Sequence, residues 1–302
     1  MNTTSEAPNA VLPDLSLMLK VGQLRYIQSQ RESGELRNPD ALVWKFLSPG
    51  QRWNCLWRGR LLLERLRADP FYYYLVARTK HYDDCFLEAV RDGFERIVNV
   101  GCGSDTRAYR FASLLREHKV RVLECDQASA IAAKQVIARR ELPMQHVEYL
   151  PIDLNETTWP DLESWLARGA DGRTLVMMEG VTPYVNEASF TAFLKMLRRM
   201  LAPESRLAYD FKISGLDDGF GLNDRTSHPF RLPLDGSRVA AFHAAAGYEV
   251  TSLESGADLS RRLLPSLVSA NRVPFMNDAL LKARLGASWQ GIAEGLRGPS
   301  IT

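Results

Sequence analysis

From residue 14 onward, apolar residues recur at spacings of three and four. The stretch "DLSLMLKVGQLRYIQSQRES" opens on an acidic N-cap and keeps that spacing, which predicts a helix with one buried face. "CLWRGRLLLERLRADP" repeats the pattern and stops at a proline, and "FYYYLVARTKHYDDCFLEAVRDG" ends on Gly93, the usual C′ residue. Beyond Gly93 the texture changes. "RIVNV", "VRVLEC", "VEYLPI", "TLVMMEG" and "RLAYDFKI" are short β-branched or apolar runs. Helical patterns separate them: "QASAIAAKQVIARREL", "WPDLESWLARG" and "NEASFTAFLKMLRRMLAP". This alternation predicts βαβ units and a mostly parallel sheet with helices on both faces. A final helix, "SRVAAFHAAAG", and strand, "YEVTSLES", complete the core. The expected organisation is a mobile tail over 1–13, a helical cap over 14–93 and an α/β core over 94–302. The Gly/Asp/Pro-rich insertion at 214–236 has the length of a functional lid.

Composition adds mainly exclusions. With 38 basic and 36 acidic residues the net charge is +2, so no nucleic acid or other polyanion partner is implied. No window approaches the ~20 apolar residues that span a bilayer, and the N-terminus lacks the basic and apolar regions of a signal peptide. Cys55, Cys85, Cys102 and Cys125 are scattered and form no C-x-x-C, which suits a reducing cytosol and argues against a disulfide frame or a zinc site. A cytoplasmic protein without metal or membrane partner is expected. Oligomeric state leaves no mark in the sequence.

The chemistry concentrates at the strand ends. In "IVNVGCGSDTRAYRF", Gly101 and Gly103 allow positive φ and close approach of a ligand to the backbone. The dinucleotide fingerprint would want glycine at 106, where Thr106 stands, and Asp105 would repel a pyrophosphate. Acids then follow the next three strands. Glu124 and Asp126 end the second, on one face, where an acid can accept both ribose hydroxyls. Asp153 ends the third, within reach of an adenine amino group, and Glu179 leaves a buried apolar run at the end of the fourth. Together they indicate a nucleoside ligand without a phosphate chain and with positive charge. S-adenosyl-L-methionine fits.

"NVGCGSDTRAYR", "LECDQASAIAAKQ", "PIDL" and "MMEGVTPYV" resemble, in order and spacing, the motifs of the leucine carboxyl methyltransferase family, and most of all its bacterial branch acting on small metabolites. The resemblance covers most of the chain and implies a Rossmann-like class I methyltransferase with a seven-stranded sheet and an N-terminal helical cap. It implies that Arg78 binds the carboxylate of the cofactor's methionine, as a guanidinium can bidentately. Gly101 and Gly103 would pass along the cofactor, Asp126 or Glu124 would take the ribose, and Asp153 with the Leu154 amide would take the adenine. Glu179 would sit near the cofactor's amino end, and Asp105 with Arg107 would brace the loop. Cys102, Pro183 and the triplet Tyr72–Tyr73–Tyr74 depart from the pattern on the side where the acceptor would bind.

The expected activity is methylation of a small-molecule acceptor, at a carboxylate or hydroxyl, in secondary metabolism. N- or S-methylation, a non-catalytic cofactor-binding module and a nucleotide-dependent oxidoreductase remain alternatives. A carboxylate acceptor needs no base, whereas a hydroxyl or amine does. His228, in "SHPF", is the first candidate, followed by Tyr184 and His81. Tyr26, Tyr72, Tyr73, Tyr74, Tyr184 and His228 are the expected acceptor-side residues.

Overall fold

The computed structural model describes residues 21–142, 147–169, 171–216 and 228–286. The expected tail at 1–13, the start of the first helix and the middle of the insertion (217–227) lie outside the described residues.

Among the described residues one sheet organises the chain. Its strands are β1 (Arg96–Val100), β2 (Arg121–Asp126), β3 (Val147–Pro151), β4 (Thr174–Met178), β5 (Arg206–Ile213), β6 (Arg231–Leu232), β7 (Tyr248–Ser255) and β8 (Asp278–Leu285). Their order is β3-β2-β1-β4-β5-β8-β7, with the two-residue β6 beside β5. β3, β2, β1, β4 and β5 run parallel, and β8 is antiparallel to both its neighbours. This is the expected doubly wound α/β architecture, with seven strands along the main path.

One strand was not legible. "DALLKARL" is built of helix formers, yet it becomes β8 between β5 and β7. The two antiparallel ladders satisfy its backbone on both sides and override the local preference.

The N-terminal helices are α1 (Val21–Arg31), α2 (Pro49–Leu61), α3 (Leu63–Ala68) and α4 (Pro70–Arg91). Ser48 and Gln51 form a reciprocal capping box at α2, so that helix begins six residues before the expected Cys55. The expected continuous second helix breaks at Leu62. Asp69 caps α4 by accepting from the Phe71 amide at 2.9 Å, Pro70 fits its first position, and Gly93, at φ +76°, ends it.

Later helices are α5 (Arg107–Arg110), α6 (Ala112–Glu117), α7 (Ala128–Glu141), α8 (Pro160–Ala167), α9 (Glu187–Met200), α10 (Gly236–Ala245), α11 (Gly256–Leu263) and α12 (Pro265–Ser269). Alternate strand residues serve two cores. Ile97, Val122, Leu175 and Met177 pack with α4, while Val98, Leu123, Val176 and Met178 pack with α8 and α9. Part of the insertion is tied down: Pro229 bridges Asn186, and β6 pairs with the end of β5.

Candidate active site

β1 leads to β2 and β3 on one side and β4 lies on the other, so the chain order reverses between β1 and β4. A cavity of about 380 Å³ opens there, beyond the carboxyl ends of the strands, where doubly wound sheets hold ligands. Its walls come from four strand ends: Val100 and Gly101 after β1, Asp126 and Gln127 after β2, Ile152–Asn155 after β3, and Gly180, Val181, Tyr184 and Val185 after β4.

The loop after β1 owes its path to glycine. Gly101 has φ +68°, and a Cβ there would lie 2.3 Å from Cγ2 of Val181. The Gly103 amide, also at positive φ, donates to Asp126 Oδ2 at 2.7 Å, and Asp126 Oδ1 accepts from the Gln127 amide at 2.7 Å. The carboxylate is thereby aimed, and each oxygen keeps lone-pair capacity for a further donor. Across the mouth, Asn155 donates to the Tyr184 carbonyl at 2.8 Å and accepts from Asn186 through both its amide and its side chain, joining the β3 and β4 loops.

Beneath the cavity lies an alternating chain of charges. Arg25 pairs with Asp40 at 3.0 Å, and Arg110 reaches Asp40 and Asp83. Arg107, 1% exposed, meets Asp83 at 2.8 Å, Asp105 at 2.5 Å and Glu179 at 2.8 Å. Glu179 in turn meets Arg78 at 3.2 Å, and Arg78 faces Asp210 at 3.5 Å. Burial would raise the Glu179 carboxyl, but Arg107 and then Arg78 outweigh it and hold it below its ordinary value. Asp105 is depressed in the same way, chiefly by Arg107 against its burial. Asp105 and Arg107 are therefore structural partners, as their place after the glycine loop implies. Burial pushes the Cys102 thiol well up, which leaves it a packing group.

The structure brings Gly101, Asp126, Asp153, Leu154 and Tyr184 to the one cavity. Arg78 and Glu179 do not line it: Glu179 directly precedes the lining residue Gly180, and Arg78 is buried behind that glycine. Gly180 has φ +68°, and a Cβ there would come 3.5 Å from both terminal nitrogens of Arg78. Glu124 requires a correction. It is 0% exposed, pairs with Lys134 at 2.9 Å and accepts from the Tyr109 hydroxyl, so it has no route to a ligand. Burial, opposed by Lys134, pushes its carboxyl up to about 7. Strand alternation put Glu124 and Asp126 on one face, but the covering helix α7 brings Lys134 over the inner of the two.

Several aromatic expectations are also corrected. Tyr72 is sealed among the N-terminal helices with its hydroxyl on Glu32. Tyr73 and Tyr74 line a separate cavity of about 650 Å³ beside α11 and α12, where Tyr74 packs on Phe275. Tyr26 packs against Trp44, with ring centroids 4.4 Å apart and the planes tilted by 32°. His81 is buried near Glu254 and Arg262, away from the cavity. His228 is exposed, and its amide donates to Asn186 Oδ1 at 3.2 Å, which fixes it beside the Asn155–Tyr184 mouth. Burial raises the Tyr184 hydroxyl above its ordinary value. Asn155 and Asp210 were missed. Asn155 follows the noted "PIDL" directly, while Asp210 sits inside an apolar strand with no local signal.

The sequence matches the profile of the leucine carboxyl methyltransferase family over residues 23–198, more than half of the chain. A provisionally named S-adenosyl-L-methionine-dependent methyltransferase of Streptomyces coelicolor is 27% identical over 207 residues, covering 66% of this chain and 70% of the relative. Another, of Mycolicibacterium gilvum, is 28% identical over 228 residues, covering 74% of this chain and 63% of the relative. Among solved structures, an O-methyltransferase family protein of Burkholderia thailandensis is similar at TM-score 0.45 and 15% identity, over 75% of this chain and 63% of its own. The cyclase SpnF is similar at TM-score 0.46 and 17% identity, over 71% and 82%. Likenesses this distant carry no argument about activity. The profile match shows that the chain belongs to the leucine carboxyl methyltransferase family, as an S-adenosyl-L-methionine-dependent methyltransferase.

Proposed function

We propose that the protein methylates an oxygen, carboxylate or hydroxyl, of a small metabolite in secondary metabolism. The observation that carries the reading is the convergence of Gly101, Asp126, Asp153 and Leu154 on one cavity, with the Arg78–Glu179 pair behind its Gly180 wall. The family's description as carboxyl methyltransferases supports oxygen as the acceptor atom.

The residues present fit the cofactor. Asp126, pre-aimed by the Gly103 amide, would accept the ribose hydroxyls. Asp153 and the Leu154 amide would take the adenine edge. The Arg78 guanidinium, packed directly behind the bare Gly180 of the cavity wall, would take the carboxylate of the amino-acid tail. Glu179, held ionised by Arg107 and Arg78, would accept from the ammonium. When bound, the cofactor supplies a methyl carbon already activated by its sulfonium. The protein's part is then alignment and exclusion of water, which can contribute effective molarities on the order of 10⁵ M. A carboxylate acceptor needs no base, and for a hydroxyl His228 at the mouth would be the proton acceptor, with Tyr184, kept protonated by burial, orienting the acceptor as a hydrogen-bond donor.

Titration with S-adenosylmethionine, S-adenosylhomocysteine and NAD, followed by transfer of a labelled methyl group into metabolite fractions, tests the reading. Label in base-labile esters or in ethers supports it. Label on nitrogen or sulfur, or binding of NAD alone, overturns it.

A further inference from the structure

Asp210 lies in β5 at 2% exposure, among residues that otherwise serve the core. Three donors, two from α4 and one from the loop after β4, converge on its carboxylate. The Tyr82 hydroxyl, from α4, donates to Oδ1 at 2.8 Å, and the Gly180 amide donates to the same oxygen at 2.7 Å. Arg78 Nη1, also from α4, faces Oδ2 at 3.5 Å. The Asp210 carbonyl accepts from the Thr182 hydroxyl at 2.7 Å, so the residue holds the loop after β4 at two points. Arg78 has Glu179 on one edge and Asp210 on the other, and its guanidinium lies near the rings of Tyr74 and Phe71. A buried carboxylate carries a large desolvation cost unless several donors meet it, and one of the donors here, the Gly180 amide, belongs to the cavity wall while Arg78 lies directly behind it.

We infer that Asp210 is a positioning residue for the amino-acid end of the cofactor: it sets the Gly180 turn and orients Arg78 toward the cavity. This rests on the reading of Arg78 as the carboxylate clamp. Asp210 itself touches no ligand in this arrangement and acts through Arg78 and the loop. Its consequence is selective. A ligand carrying the amino-acid tail depends on Asp210, while one that keeps only the nucleoside thioether does not.

Calorimetry with S-adenosylhomocysteine and with 5′-methylthioadenosine, which lacks the tail, separates these cases. Asp210→Asn keeps an acceptor for Tyr82 and Gly180 but loses the charge facing Arg78. It is expected to weaken S-adenosylhomocysteine about tenfold or more and methylthioadenosine less than about twofold, in line with loss of a charge-assisted contact. In turnover, the cofactor KM should rise more than kcat falls. Equal weakening of both ligands, or of neither, overturns the proposal. If Asp210→Asn does not fold, Tyr82→Phe removes one donor and leaves every charge. It should weaken S-adenosylhomocysteine about threefold and spare methylthioadenosine, and no selective loss there also overturns it. Arg78→Ala reads the underlying assignment separately. If that variant keeps the wild-type preference for the tailed ligand, the clamp reading fails whatever Asp210→Asn does.

Discussion

Glu179 Oε2 accepts from Arg107 Nη1 at 2.8 Å, although the two residues are 72 positions apart, one after the glycine loop and the other after β4. Arg107 also binds Asp83 and Asp105 and donates to the Thr79 carbonyl. One guanidinium thus ties the N-terminal helix α4 to two strand-end loops of the candidate site.

Removing that cation would leave three carboxylates facing one another in a buried space. Arg107→Leu should destabilise the protein by about 3–5 kcal/mol, or prevent folding, whereas Arg107→Lys should recover only part because it cannot span the same partners. Urea unfolding of both variants checks this, and wild-type stability for Arg107→Leu would contradict the network.

Asp126 and Glu124 differ by two positions and should differ in kind. Asp126→Ala is expected to weaken cofactor binding about 10–100-fold, the scale of a lost hydrogen-bonding carboxylate, with little change in unfolding. Glu124→Gln should show the reverse, because it leaves buried Lys134 without its counter-charge. Paired calorimetry and melting curves read both.

Gly101→Ala meets both a positive φ and a 2.3 Å approach to Val181. A cost of about 1–3 kcal/mol and a loss of cofactor affinity are expected. Adding Val181→Ala should recover only part, since it removes the contact and leaves the backbone strain. Full recovery would mean that the conformation itself carries no cost.

Glu254 gives a pH dependence of known sign. Burial would raise its carboxyl, but His81 and a two-point bond from Arg262, at 2.7 and 2.9 Å, hold it down to about 2, against an ordinary 4.5. A folded-state value below the unfolded one stabilises above about pH 4.5, and that contribution is lost as pH falls through about 2. Glu254→Gln should flatten this part of the stability–pH curve between those limits, more visibly at low salt because Arg262 is partly exposed. An unchanged acid limb would refute the assignment.

What the sequence by itself determined was local and periodic. The alternation of apolar runs and helical faces specified a parallel α/β sheet, because the two periods reflect which faces are buried. Gly101 and Asp126 were legible as residues of the cavity wall because such sheets open a crevice beyond the carboxyl ends of their strands. Gly93 was legible as a helix stop for the same kind of local reason. Tertiary structure decided what depends on neighbours distant in sequence. β8 is a strand because two ladders claim "DALLKARL" against its own preference. Glu124 is a buried partner because α7 lays Lys134 over it, while Asp126, two residues on, reaches the cavity. Tyr72 belongs to the core because its hydroxyl meets Glu32, 40 positions away. Asp210 gives no sign within "RLAYDFKI", since its three donors come from α4 and the β4 loop. Periodicity shows that a residue is buried, but the free energy of a buried charge depends on which partner folding places beside it.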